Sequence, residues 1–351
     1  MIEEWASVSS LWAALGRAAR GKRRRASVAR ALLERERVVL DLHRALLSGT
    51  WRPSAPSHHV IHDPKTRLIT AAPFVDRVVH QACCAALGPA LDGHLVSTSF
   101  ACRVGRGTHA AVALVRRWAA AHAWVLHLDV RRFFPSIDHG ILRSQLERHV
   151  RCARTLAVCE RILEAGAGQR EAPGFWFPGD DLFTPHGRRV GLPIGNLTSQ
   201  HFANRYLSPV DHLAKDRLRV RRYLRYMDDM LLFGDDPAHL RAWGLALEAR
   251  CHRLRLRLHP WLVRATRDGV GFLGFRVLPG GVVRVKRATV ARARRRLADL
   301  ARDAAATGDP SALLRSLRST FAHWEHADSW RLRDKTLREL GWHWQGDEDS
   351  T

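Results

Sequence analysis

The stretch RYMDDMLLF, residues 225–233, sets two neighbouring carboxylates, Asp228 and Asp229, inside an apolar, strand-like run. In a regular strand adjacent side chains point to opposite faces, so one of the two acids would enter the core. An unpaired interior carboxylate is costly, and two like charges at that spacing resist ionising together. A hairpin over residues 223–233 whose tip presents both acids to bound cations removes the conflict. A third acid, Asp129, ends the apolar run WVLHL of residues 124–128. If the two segments pair in one sheet, the three carboxylates meet at its edge. Hard cations choose oxygen ligands, and two Mg²⁺ ions roughly 3.5–4 Å apart would neutralise such a group while clamping the attacking and leaving oxygens of a phosphoryl transfer.

Periodicity supplies the elements that must position these acids. Residues 1–50 read as helical, with the basic cluster GKRRR at 21–25 between two apolar-periodic stretches, either a solvated face or an RNA contact. After the break at WRPSAP, HHVIH and RLIT alternate as a hairpin around a turn at Asp63-Pro64. Residues 75–91 have helical spacing, 97–108 read as a strand and loop, and a helix follows to Ala121. AWVLHLDVRRFF is a buried strand ending at Asp129, and a helix is expected from about Asp138 to Gly166. Asp138 suits the N-cap of that helix better than a metal site. Residues 168–190, rich in Gly, Pro and aromatics, read as a loop or β-excursion. A helix from Asn196 to about Arg219, the acidic hairpin, and a helix started by Asp236-Pro237 come next. Residues 269–279 and 280–286 read as another hairpin. The Arg- and Trp-rich stretch 288–345 is helical, with Trp324 and Trp330 expected in its core.

The 351 residues carry 57 Lys plus Arg against 34 Asp plus Glu, a net charge of +23. Such an excess favours a polyanionic partner, most often nucleic acid, through phosphate contacts and counterion release. The hydrophobic share of 46%, spread along the chain, is that of a globular protein and excludes a disordered one. Six cysteines form no CxxC pair or zinc spacing, and His58, His59 and His62 lack partners at ligand spacing. The cysteines read as buried thiols in a reducing compartment. With no uncharged run of about 18 residues, the length that spans a bilayer, the expectation is a soluble cytoplasmic protein with no membrane association.

In order, KTRLITAAPFVDRVVHQA (65–82), SFACRVGRGTHAA (99–111), LDVRRFFPSID (128–138), GLPIGNLTSQHFANRYLSPVDH (191–212), RYMDD (225–229) and FLGFRV (272–277) resemble the motif series of a reverse transcriptase. The resemblance implies an α+β right-hand polymerase fold with fingers, a palm built on an antiparallel sheet, and a helical thumb. It divides the chain into an N-terminal helical extension (1–50), fingers (51–122), palm (123–283, with the insertion at about 168–190), helical thumb (284–345) and tail (346–351). The activity it implies is RNA-directed DNA synthesis from dNTPs, with an RNA template and an RNA/cDNA duplex as partners.

The resemblance also implies residue roles. Asp129, Asp228 and Asp229 are catalytic, and with the Val130 carbonyl they are the ligands of two Mg²⁺ ions, for which Mn²⁺ can substitute. Phe134 holds the family position whose bulk excludes a ribose 2′-hydroxyl. Lys65, Arg67 and Arg77 are matched to the triphosphate, and Val130, Gly195, Ser199 and Gln200 to the nucleotide pocket, where Gly195 would let backbone approach the nucleotide. Arg103, Tyr226, Arg294 and Arg295 are matched to template or primer.

The segment IGNLTSQ (194–200), with Ile194 and Gln200 where most reverse transcriptases have Gln and Pro, is similar to the enzymes of diversity-generating retroelements. Those copy a template-repeat RNA with errors at adenines and usually need a small accessory protein. One departure stands out: after LRLHP (256–260) relatives commonly have a Lys, whereas this chain continues Trp261-Leu262-Val263-Arg264. Two alternatives accompany this reading: a bacterial anti-phage defence reverse transcriptase with the same core, and a catalytically inert RNA-binding scaffold.

Overall fold

Alternating residues fold Ser57–Ile61 (β1) and Arg67–Ala71 (β2) into an antiparallel pair, in register from Ser57 opposite Ala71 to Ile61 opposite Arg67. The computed structural model describes residues 2–62, 66–165, 175–181 and 183–342. The expected turn at Asp63-Pro64, Lys65, the side chain of Arg67, residues 168–174 of the insertion and the tail lie outside the described residues.

Four strands, Trp124–Asp129 (β3), Tyr223–Tyr226 (β4), Asp229–Gly234 (β5) and Val263–Ala265 (β6), form a sheet in the order β4-β5-β3-β6. β3 and β6 run antiparallel, with Leu126 opposite Val263. Along β3, Leu126, Leu128 and then Val130 are buried, whereas His127 is exposed and Asp129 half-buried. The two-residue alternation therefore turns Asp129 to the open face while its neighbours anchor the strand.

By packing, the chain resolves into two units. The first comprises Met1–Val104, Leu128–Met230 and Ala242–Trp261. In it the apolar stripe of helix Val8–Ala19 (Leu11, Ala14, Leu15, Ala18) packs against helix Phe74–Gly93, which in turn packs on helix Leu197–His212. The expected helix of 138–166 is two helices, His139–Glu147 and Ala153–Glu164, because the chain turns between them to bury Val150. Asp138 does cap the first, accepting from Ile141 N at 3.0 Å, and it also pairs with Arg255 at 2.7 Å. Residues 97–108 form no strand beyond one bridge, Ser99 with Arg225. Leu197–His212 runs on into a π-helical turn, Leu213–Arg217. Four cysteines (Cys83, Cys84, Cys159, Cys251) are buried as expected, but Cys102 is exposed.

The second unit comprises Gly105–His127, Leu231–Arg241 and Leu262–Thr351. Helix Thr108–Ala121 lies in this unit. Val270–Phe272 (β7), Phe275–Val277 (β8) and Val283–Val285 (β9) make a three-stranded sheet in place of the single hairpin expected. Leu273 and Gly274, at φ 44 and 87, form the tight turn inside FLGF, and the positive angles match the twist of the flanking strands. Helices Arg287–Thr307, Ser311–Trp324 and Trp330–Glu339 close around Leu297, Leu313, Leu317 and Leu337. Trp324 is buried in this unit, but Trp330 is 64% exposed, since it opens its helix two turns before Leu337 and outside the leucine cluster.

One buried ion pair lies at the centre of the first unit. Arg225 on β4 and Asp211 on helix Leu197–His212 are both 0% exposed and joined at 2.7 Å through Nε and Nη2. Tyr223 Oη donates to the same carboxylate at 2.7 Å, and Arg225 Nη1 donates to Asn204 Oδ1 at 3.0 Å. The Arg225 backbone bonds Thr98 and Phe100, fastening the 97–103 loop to the strand. Burial alone would lower the Arg225 pKa, but Asp211 outweighs it and holds the guanidinium above its ordinary value. Asp211→Ala would leave that charge uncompensated and should destabilise the protein by roughly 3–5 kcal/mol. The double variant Asp211→Leu/Arg225→Met should recover much of the loss in urea denaturation; equal or greater loss in the double variant would contradict the assignment.

Candidate active site

β4 and β5 are joined by the two-residue turn Met227-Asp228, with Met227 at φ 56. Positive φ at the first central position is where tight hairpins favour Gly, and a side chain there costs on the order of 1–2 kcal/mol. Arg225 Nη1 donates to the Met227 carbonyl at 2.9 Å, so the buried ion pair holds the strained turn from beneath.

The turn meets the end of β3 through backbone: Val130 N donates to the Asp228 carbonyl at 3.4 Å. On the other edge His259 N donates to the Asp129 carbonyl and Arg131 N to the Arg257 carbonyl, both at 2.8 Å. Because N–H and C=O of an extended residue point the same way, the Val130 carbonyl faces the turn as its N–H does. Asp129, Val130, Tyr226, Asp228 and Asp229 are thus brought to one end of the sheet, with Tyr226 and all three acids half-buried. His259 Nε2 lies 4.0 Å from the Asp129 carboxylate.

Three carboxylates and a carbonyl are an all-oxygen donor set, which suits Mg²⁺ or Mn²⁺ and not zinc. Among the described residues, no three His, Cys, Asp or Glu side chains form a group able to hold an ion by themselves. That still fits Mg²⁺, which ordinarily takes one or two carboxylates and completes its shell with water and substrate phosphates.

Phe133 and Phe134 open the short helix Phe133–Ser136, edge to face with ring centroids 5.6 Å apart. Phe133 is buried and Phe134 half-buried. The Phe134 carbonyl accepts from Leu192 N at 2.8 Å, and Thr70 N on β2 donates to the Ile194 carbonyl at 3.0 Å. The 191–196 loop therefore ties Phe134 to the β1–β2 hairpin. Gly195, at φ 117, lies close to β2: a Cβ there would meet Ile69 Cγ2 at 3.1 Å, and the positive φ strains any side chain.

The structure places the other expected site residues as follows. Ser199 is 1% exposed, on the core side of its helix, and Gln200, one residue on, is half-buried. Arg103 donates to the carbonyls of Asp92, Val96 and Ser99 at 2.9 to 3.3 Å. Arg294 is held by Glu339 at 3.2 Å and by Thr336, whereas Arg295 is exposed. Arg77 donates from Nε to the Ala72 carbonyl at 2.7 Å, and burial lowers its pKa. Lys65 and the Arg67 side chain are outside the described residues.

Sequence reasoning missed Arg225, Asp211 and His259. An arginine in the middle of an apolar strand, immediately before the tip, was the available signal for the first. Asp211 sits on the inner face of its helix, a position only a buried partner explains.

Residues 61–277 match the family described as reverse transcriptase (RNA-dependent DNA polymerase). The chain is 24% identical over 272 residues to Protein YkfC of Escherichia coli (strain K12), covering 66% of this chain and 69% of that protein. It is 21% identical over 184 residues to the Putative COX1/OXI3 intron 1 protein of Saccharomyces cerevisiae, covering 52% of this chain and 20% of that one. Among solved structures it is similar to apo telomerase from Candida tropicalis, at 10% identity and a TM-score of 0.49 over 66% of this chain and 55% of that one. Telomerase from Candida albicans, in complex with a fragment of telomeric RNA, aligns at 10% identity and a TM-score of 0.46, covering 84% of this chain and 60% of that one. The family match takes in well over half of the chain and all three aspartates, and this protein, with its α+β right-hand polymerase fold, belongs to the reverse transcriptase family.

Proposed function

We propose that the chain extends a primer 3′-hydroxyl along an RNA template, making cDNA. The hydroxyl gives up its proton to solvent and its oxygen attacks the α-phosphorus of a dNTP in line; that O–P bond forms as the bond to the bridging oxygen breaks, and pyrophosphate leaves. The single observation that carries this reading is the bond from Val130 N to the Asp228 carbonyl, which sets the end of β3 against the tip bearing Asp228 and Asp229. Catalysis of this kind is mainly positioning and charge neutralisation.

Asp129, Asp228 and Asp229, with the Val130 carbonyl, would hold two divalent ions. Bound there, the ions neutralise charge on the phosphoryl oxygens and align the groups that react. The chain's own work is to fix the carboxylates through backbone and through Arg225, and to shape the nucleotide's surroundings. Phe134 presents its half-buried ring beside the 191–196 loop and excludes a ribose 2′-hydroxyl. Lys65, Arg67, Arg77 and Gln200 meet the incoming nucleotide, the first three at its triphosphate. Tyr226 abuts the primer end, and Arg295 offers its charge to the duplex. In this reading the hairpin and its helices serve as fingers, the β3–β6 sheet as palm and the C-terminal helices as thumb.

The biological setting we favour is a diversity-generating retroelement in the cytoplasm, with a small accessory protein as partner. What supports it is the IGNLTSQ segment of residues 194–200. No helix among the described residues is long and apolar enough to cross a membrane.

Primer-extension assays on an RNA template test these roles. Asp228→Ala should cut dNTP incorporation about a thousandfold or more, on the order of 4 kcal/mol of barrier, with RNA affinity nearly unchanged; wild-type incorporation would reject the metal assignment. Phe134→Ala should admit ribonucleotides, and continued rNTP exclusion would remove the gate. Ile194→Gln should lower misincorporation opposite template adenine, and sequencing of the cDNA that shows the same error spectrum would dismiss the retroelement reading of that position.

A further inference from the structure

Within the first unit, a cavity of about 750 Å³ opens between helix Leu197–His212, the π-helical turn Leu213–Arg217 and helix Pro237–Arg253. None of the three aspartates lines it. Its walls carry five arginines, Arg148, Arg205, Arg217, Arg250 and Arg253, and a single carboxylate, Asp216. That carboxylate is already matched: His212 Nδ1 lies 2.6 Å from Asp216 Oδ2, while the other ring nitrogen bonds the His94 carbonyl at 2.9 Å. Among the described residues none of the five arginines makes an ion pair with an acid.

Arg205 is 8% exposed, and its Nε is buried with no hydrogen-bond partner among the described residues. Burial first, and then the neighbouring Arg148, lower its pKa. Next to the cavity the His149 ring lies 4.2 Å from that of His94, tilted 53° to it, and is pushed down to about 4 by burial, with Arg205, His94 and Arg148 adding to it. Neutral at physiological pH, His149 adds no charge of its own. A buried guanidinium with an unsatisfied donor and repelled by its neighbours is a costly arrangement that an anion would relieve. Planar guanidinium forks match phosphate oxygens, and a cavity of this size exceeds the need of one phosphate while lying within the range of small-ligand sites. The widened π turn, a feature frequent at functional sites, brings His212, Asp216 and Arg217 to the wall.

We infer that this cavity is a second anion site, taking a ligand with two or more adjacent phosphates. The phosphates are free, as in a nucleoside polyphosphate, or carried on a nucleic-acid strand. The site does not depend on the polymerase reading, because it uses none of the catalytic acids and is assayed without metal.

Calorimetric titration of the full chain with tripolyphosphate in EDTA, which silences metal-dependent triphosphate binding at the carboxylates, tests it. One tripolyphosphate should bind per chain, and Arg250→Gln/Arg253→Gln should weaken it at least tenfold. A second double variant, Arg148→Gln/Arg217→Gln, should do the same, while Arg20→Gln/Arg23→Gln, in the turn after helix Val8–Ala19, should not. Competition then separates the sources: displacement by ATP at lower concentration than by a short single-stranded RNA marks a free ligand, and the reverse order a strand. Absence of binding, or equal weakening by the N-terminal pair, overturns the proposal. Loss of incorporation in Asp228→Ala with tripolyphosphate binding intact keeps the two sites' outcomes apart.

Discussion

The geometry of the acidic tip depends on a charge pair sealed from water. Arg225 and Asp211 forgo hydration, a penalty that only close, fully hydrogen-bonded geometry offsets. The guanidinium answers that demand with donations to Asp211, Asn204 and the Met227 carbonyl, and Tyr223 completes the carboxylate. One cation thereby joins a helix, a strand, a distant loop and a strained turn. The strain at Met227 persists because the groups beneath it over-determine the backbone.

From that anchor the three carboxylates are placed by backbone. Asp129 is set by the bond its carbonyl accepts from His259 N and by those its neighbours make, Arg131 N to the Arg257 carbonyl on the same edge and Val130 N to the Asp228 carbonyl on the other, and the strand's alternation aims its side chain at the open face. Like charges gathered in this way repel until cations arrive, so their positions must be imposed by a rigid surround. The 191–196 loop extends the same logic outward, with main-chain bonds running from Phe134 to Leu192 and from Ile194 to Thr70.

The excess of arginine does not map directly onto nucleic-acid contacts. Arg103 staples carbonyls, Arg294 braces two helices, Arg255 and Arg188 serve Asp138 and Asp180, and Arg225 sits in the core. These residues are used for the planar, multidentate donor geometry of guanidinium as much as for charge. Five arginines line one cavity, and among them the Nε of Arg205 is buried without a hydrogen-bond partner among the described residues.

The sequence by itself determined the order of the motifs, the acidic hairpin, the strand ending at Asp129, the N-terminal and C-terminal helices and the capping role of Asp138. Each of these rests on local periodicity or on a side chain bonding its own neighbourhood, and such signals survive in a linear string. It misjudged the helix broken near Val150, the third strand within 269–286 and the place of Trp330. Only tertiary structure decided those, and it alone revealed the Arg225–Asp211 pair and the arginine cavity. Burial and ion pairing between residues far apart in the chain depend on which surfaces meet, and neither composition nor spacing records that meeting.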